Sequence, residues 1–125
     1  MDKHYLTLND INSYKIAFNL SNYVWDIIIK RNYFEKDTIS KQFTRAVDSI
    51  YANIAEDFVR NGKKDKIRFY RYSFGSLKEC FDWNEKSKIR KLITIEQYNF
   101  IFSEIDKLPK EINSLIKYSN EKLKY

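Results

Sequence analysis

Ile39, Phe43, Val47, Ile50, Ile54 and Phe58 recur at steps of three and four residues, and the pattern ends at Asn61-Gly62. Apolar residues at that spacing occupy one side of an α-helix. Glycine just past a helix end adopts the left-handed conformation without a Cβ penalty. The stripe and its stop signal therefore predict a helix over about 38–60, with Gly62 left-handed beyond it. Ile67, Tyr70, Phe74, Leu77 and Phe81 resume the same spacing a few residues later and predict a second helix over about 64–90. So short a connection makes the two antiparallel. This hairpin is the centre of the chain, and Arg45–Ser76 holds both glycines and the densest group of cations.

The flanking segments carry the same period. Tyr14, Ala17, Phe18, Ser21, Val24, Trp25 and Ile28 predict a helix over about 10–31, with Asn9 or Asp10 as its N-cap. Asp37 or Thr38 is expected to cap the helix that follows. Tyr98, Ile101, Phe102, Ile105, Leu108, Ile112, Leu115 and Ile116 stay in register over about 94–123. Pro109 falls inside that run, where it removes a backbone donor and crowds the preceding turn, so a kinked but single helix is expected. With only two glycines and one proline, the chain lacks the turn residues a β-rich fold needs. An all-α, antiparallel up-down-up-down four-helix bundle follows, as one domain over residues 1–125.

Several classes of function lose support. Cys80 is the only cysteine, so no internal disulfide forms and a reducing compartment is expected. The N-terminus lacks the apolar core of a signal peptide, and apolar runs such as Ile27–Ile29 are far too short for a membrane span. The expectation is a cytoplasmic protein with no membrane association. His4 is the only histidine, which removes the usual base for a serine or cysteine nucleophile and the Glu-x-x-His pairs of a di-iron bundle. Cys80 reads as a small packing residue, and Asn61-Gly62-Lys63-Lys64 as a helix stop, not a phosphate loop. The chain is expected to be no enzyme and to use no cofactor or metal.

Two surface features of the hairpin remain. Between Arg60 and Arg71, six cations (Arg60, Lys63, Lys64, Lys66, Arg68 and Arg71) surround a single acid, Asp65, and account for most of the net charge of +6. They are candidate phosphate contacts for RNA or DNA, or simply a solvated turn. Of the interleaved aromatics, Tyr70 is assigned to the core, Phe69 to its border and Tyr72 to the outside. Lys86, Lys88, Arg90 and Lys91 form a second basic patch of open meaning. The other feature is packing: Arg45, Ser49, Asn53, Glu56 and Arg60 form a polar line beside the core stripe, and Asp48, Ala52, Ala55 and Val59 a mostly small outer face. Mid-helix Gly75 costs about 1 kcal/mol relative to alanine, which favours close approach of another backbone. Arg45, Asn53, Ala55, Glu56, Tyr72 and Gly75 are the candidate interface residues. Asn53 and Glu56 are expected to join a polar network toward Ser73 and Ser76 or toward a second protomer.

The same stretch, NIAEDFVRNGKKDKIRFYRYSFGSLKE, resembles the signature of the bacterial four-helix-bundle proteins encoded in intervening sequences of 23S ribosomal RNA. The matching positions are Arg45, Ala46, Ser49, Ile50, Asn53, Ile54, Ala55, Glu56, Phe58, Arg60, Phe69, Gly75, Ser76, Leu77 and Glu79. Asp57 stands where that family usually has glycine, and Pro109 is outside its pattern. The resemblance implies a bundle that assembles as a ring-like homo-oligomer, often a pentamer, without established enzymatic activity. A related bundle, the accessory variability determinant of diversity-generating retroelements, is a basic oligomer that associates with nucleic acid and a reverse transcriptase. By that likeness the expected partners are further copies of the chain, RNA or DNA, and a reverse transcriptase or other protein. A protein-only adaptor, presenting the aromatic and small-residue faces, is the alternative.

Overall fold

In the computed structural model the described residues are 11–58 and 62–122, without the side chains of Phe58 and Lys122. Four long helices make up the fold: α1 (Asn12–Ile28), α2 (Lys41–Phe58), α3 (Lys63–Ile89) and α4 (Ile95–Lys122). Each packs against its neighbours in sequence, and α1 also packs against α4, which closes the bundle. The architecture is the expected all-α four-helix bundle.

Val47, Ile50, Ile101, Ile105, Leu108 and Ile112 are wholly buried along its axis, with Leu20, Val24, Phe43, Ile54 and Leu77 around them. Burying a side chain of this size contributes about 1.5–3 kcal/mol, so the α2 and α4 stripes supply much of the stabilisation. On α1 the buried residues are Ser13, Ala17, Leu20, Ser21, Val24, Ile27 and Ile28, so Ala17, Ser21, Val24 and Ile28 of the expected face are buried and the face is centred nearer Leu20. Phe18 and Trp25, expected in the core, stand about half exposed on its flank. Pro109 does not divide α4, which runs as one helix through it, as the continuous apolar register required.

The connections depart from expectation in three places. First, α2 is not capped by Asp37 or Thr38. Instead the Asn32 side chain accepts from the Glu35 amide at 2.9 Å and starts a single turn, Tyr33–Glu35, which passes into a wider π-type turn over Lys36–Ser40. Thr38 leaves helical geometry there (φ −111°, ψ −114°), and its hydroxyl donates backward to the Phe34 carbonyl at 2.9 Å. Second, Gly62 is not left-handed. It is extended (φ −87°, ψ 140°) and serves as the N-cap of α3. The Asn9 or Asp10 cap, Asn61, Val59 and Arg60 lie outside the described residues.

Third, the left-handed residue is Lys91 (φ 59°), at the far end of α3. Its amide donates to the Lys88 carbonyl at 3.0 Å and the Leu92 amide to that of Ser87 at 2.9 Å, the paired bonds of a Schellman stop. Thr94 and Gln97 then cap each other reciprocally, amide to side chain, at 2.9 and 3.0 Å, and start α4. A side chain in left-handed backbone costs about 1–2 kcal/mol. Lys91→Gly is therefore expected to raise unfolding stability by about 1 kcal/mol in urea titrations, with an unchanged helical circular dichroism spectrum.

Candidate functional site

The α2–α3 hairpin is joined by a seam of small polar groups. The Asn53 amide donates to the Ser49 carbonyl at 2.8 Å and to the Ser49 hydroxyl at 3.0 Å, and the Ser76 hydroxyl reaches the same Ser49 oxygen at 2.8 Å. Ser73 crosses from α3 to the Ile50 carbonyl at 3.3 Å. Asn53 thus reaches α3 through Ser49, not by touching Ser73 or Ser76 itself. Further along, Ser73, Cys80 and Asn84 are wholly buried, so α3 meets the core with serine, cysteine and asparagine as well as Tyr70 and Leu77. Burial pushes the Cys80 thiol well above its ordinary range, with Glu79 and Asp48 adding to the effect. That is the environment of a packing residue.

The six turn cations separate into different roles. Lys63 donates to the Asn120 carbonyl at 3.4 Å, tying the start of α3 to the end of α4. Lys66 donates to the Asp57 carbonyl at 3.1 Å and satisfies one of the acceptors that the last turn of α2 exposes. Arg68 pairs with Asp65 at 3.3 Å, is half exposed, and lies 5.3 Å from the Phe69 ring centre. Lys64 and Arg71 are exposed and have no hydrogen bond or ion pair among the described residues. Arg60 lies outside the described residues. Lys64, Arg68 and Arg71 therefore form one exposed line at helical spacing, and four residues further that line reaches Gly75. Tyr72 beside it is half exposed and stands edge-on to Phe69 at 5.5 Å, while Tyr70 is buried.

At Gly75 an added Cβ would meet nothing within 4 Å. Among the described residues no helix is packed against it, so the close approach expected there is not made by them. Ala52 is also exposed and Ala55 partly so, beside Asn53 and the exposed Glu56. Arg45 is exposed as well, but lies eight residues before Asn53, roughly 12 Å along the helix axis. It stands in the opening turns of α2, one turn before the Ser49 that bonds Ser76, and lines a cleft with Trp25.

The second basic patch is largely engaged with its own end of the bundle. Lys86 lies 4.7 Å from the Trp83 ring centre, and Lys88 is 3.4 Å from Glu85 and 4.0 Å from the Tyr98 ring centre. The Tyr98 hydroxyl donates to Glu85. Among the described residues no group of His, Cys, Asp or Glu is placed to hold a metal, and no helix is long and apolar enough to cross a membrane.

Sequence reasoning missed the most unusual group at this site. Asp57 is wholly buried in the last turn of α2, and neither carboxylate oxygen has a hydrogen-bond partner. The available signal was its place three residues after Ile54, on the core side of the stripe. Burial pushes its pKa up to about 6; the neighbouring Tyr70 phenol, short of hydrogen-bonding geometry, and Lys66 pull it partway back. Burial and the adjacent carboxylate in turn raise the Tyr70 phenol.

With this geometry in view, the comparisons are decisive for kinship. Residues 9–114 match the family pattern of the 23S rRNA-intervening sequence protein. The chain belongs to that family. Its structure is similar to the crystal structure of a protein of unknown function from the S23 ribosomal protein family of Bacteroides thetaiotaomicron. The two share 24% identity with a TM-score of 0.76, over 84% of this chain and 95% of the other, which establishes a common fold. Comparison with curated proteins gives no match.

Asp57 makes stability depend on pH. Its folded pKa is raised, so folding favours the neutral acid. That contribution is complete below the unfolded value near 4, and is lost as pH rises through about 6. Asp57→Asn is therefore expected to stabilise the protein by on the order of 2 kcal/mol at about pH 7.5 and to have little effect at about pH 4. Thermal melts of both proteins across this range check it; an equal gain at both pH values would assign the effect to packing.

Proposed function

We propose that the chain is a non-enzymatic, cytoplasmic assembly module whose oligomer binds RNA or DNA through the basic end of the central hairpin. The observation that carries this reading is the exposed line Lys64, Arg68 and Arg71 beside the half-exposed Tyr72 ring. Cations at one helical face can follow a phosphate backbone, and an aromatic edge beside them offers a surface for a base. The family name, which refers to an intervening sequence of 23S rRNA, is in keeping with a nucleic-acid setting. Assembly is supported by the open face at Gly75 and Ala52, where small residues leave room for another helix. A ring such as a pentamer would repeat the basic line around its circumference and so multiply weak phosphate contacts.

The open Gly75 face also favours a second reading, an adaptor that engages a reverse transcriptase or another protein and no nucleic acid. Titration of fluorescent single-stranded RNA and DNA at low and high salt separates the two. Binding that weakens steeply with salt and falls about tenfold or more in the Lys64→Ala/Arg68→Ala/Arg71→Ala variant is expected. No binding at low salt would leave the adaptor.

Gly75→Ala tests assembly. In a free monomer the change should stabilise α3 by about 1 kcal/mol, because the added methyl meets open space. In an oligomer packed on that face it should shift light-scattering mass toward smaller species. A wild-type monomer at micromolar concentration would exclude the assembly.

A further inference from the structure

A different opening lies at the other end of α2, where the end of α1 meets the π-type turn. It is a cleft of about 270 Å³. Trp25, Ile28 and Ile29 give it an apolar side, with Ile29 and the indole half exposed. Lys36, Lys41 and Arg45 stand at its mouth, and no acidic residue lines it. None of the three cations is ion-paired among the described residues. Thr44 completes the lining: its hydroxyl oxygen is buried and has no hydrogen-bond partner, whereas a helical threonine ordinarily bonds back to its own preceding turn.

One feature of this cleft is locally unfavourable without an occupant. Lys41 and Arg45 sit in the opening turns of α2, the positive end of the helix dipole, where carboxylates are preferred; α2 has no acid in its first turn. An anion reverses this.

We propose that this cleft binds a nucleotide, with the base against Trp25 and the isoleucines and the phosphate among Lys36, Lys41 and Arg45. Inorganic phosphate would leave the indole and the isoleucines unused. A fatty carboxylate brings one charge to three cations and no flat face to the indole. An apolar helix, or a second copy of this basic chain, would desolvate the cations without neutralising them. A nucleotide meets the cations and the flat apolar wall together. The inference is independent of the hairpin reading, since the two sites lie at opposite ends of α2 and share no residue.

The test uses the full chain with Trp83→Phe, so that Trp25 is the only indole. Its emission is titrated with AMP, with a short single-stranded oligoadenylate and with inorganic phosphate as competitor. Saturable quenching by AMP is expected and assigns a free nucleotide; quenching that saturates only with the oligonucleotide assigns a nucleotide within a strand, and both support the cleft. Lys41→Glu/Arg45→Glu should weaken the response about tenfold or more. Lys64→Ala/Arg68→Ala/Arg71→Ala should leave the Trp25 response to AMP in place, so failure at one site is distinguishable from failure at the other. The proposal is overturned by any of three results: no saturation by either nucleotide probe up to about 10 mM, unchanged quenching in the Lys41/Arg45 variant, or competition by phosphate as tight as AMP itself.

Discussion

The close approach of α2 and α3 governs the rest of the molecule, and it depends on small side chains. Ser49, Ser73, Ser76 and Cys80 occupy the seam between the two helices, and the hydroxyls there find partners across it or in the backbone. Larger apolar side chains would separate the helices and leave the remaining polar groups desolvated. Because the hairpin is held in this way, the apolar stripe of α2 faces α1 and α4, where the bulky isoleucines and leucines are concentrated. The bundle therefore has two kinds of interior: a polar, narrow seam on one side and an aliphatic core on the other.

That division explains how much could be read from the sequence. The α2 and α4 stripes follow the helical period with large apolar residues, and the elements, their order and the bundle were legible from them. On α3 the expected stripe held at Tyr70 and Leu77, with Phe74 and Phe81 packed against the core, but buried Ser73, Cys80, Asn84 and Ser87 show no hydrophobic contrast with their neighbours. On α1, Phe18 and Trp25 were assigned to the core by hydrophobicity alone, but smaller Ala17 and Leu20 fit the space nearer the axis. Gly62 does separate α2 from α3, but its conformation differs from expectation for a related reason. Glycine permits left-handed backbone without requiring it, and the chain uses Gly62 in extended form while Lys91 takes the strained position, fixed by two backbone hydrogen bonds and the capping pair that follows.

The surface shows a similar limit. Sequence counts six cations in one stretch, yet a charge is available to a partner only if the fold does not already use it. Lys63 and Lys66 are spent on main-chain carbonyls of α4 and α2, and Arg68 shares its charge with Asp65. The local balance overstates the free charge, while the line through Lys64, Arg68 and Arg71 shows direction, which a count does not contain. Arg45 was singled out through its place on the polar line of α2 and grouped with the hairpin interface. The structure also places it beside an exposed indole, among cations from a turn that sequence periodicity could not describe.

Closure of the bundle between α1 and α4 has a kinetic side. Those helices are first and last in the chain, and rings such as Tyr23 and Phe100, 4.3 Å apart, meet only after everything between them is in place. The α2–α3 and α3–α4 pairs, in contrast, need only short connections to close. Loop-closure entropy thus falls mainly on one contact surface. The α1–α4 seam is therefore the contact with the greatest closure cost, whereas the Trp25 cleft joins α1 to its sequence neighbour α2 and does not wait for it.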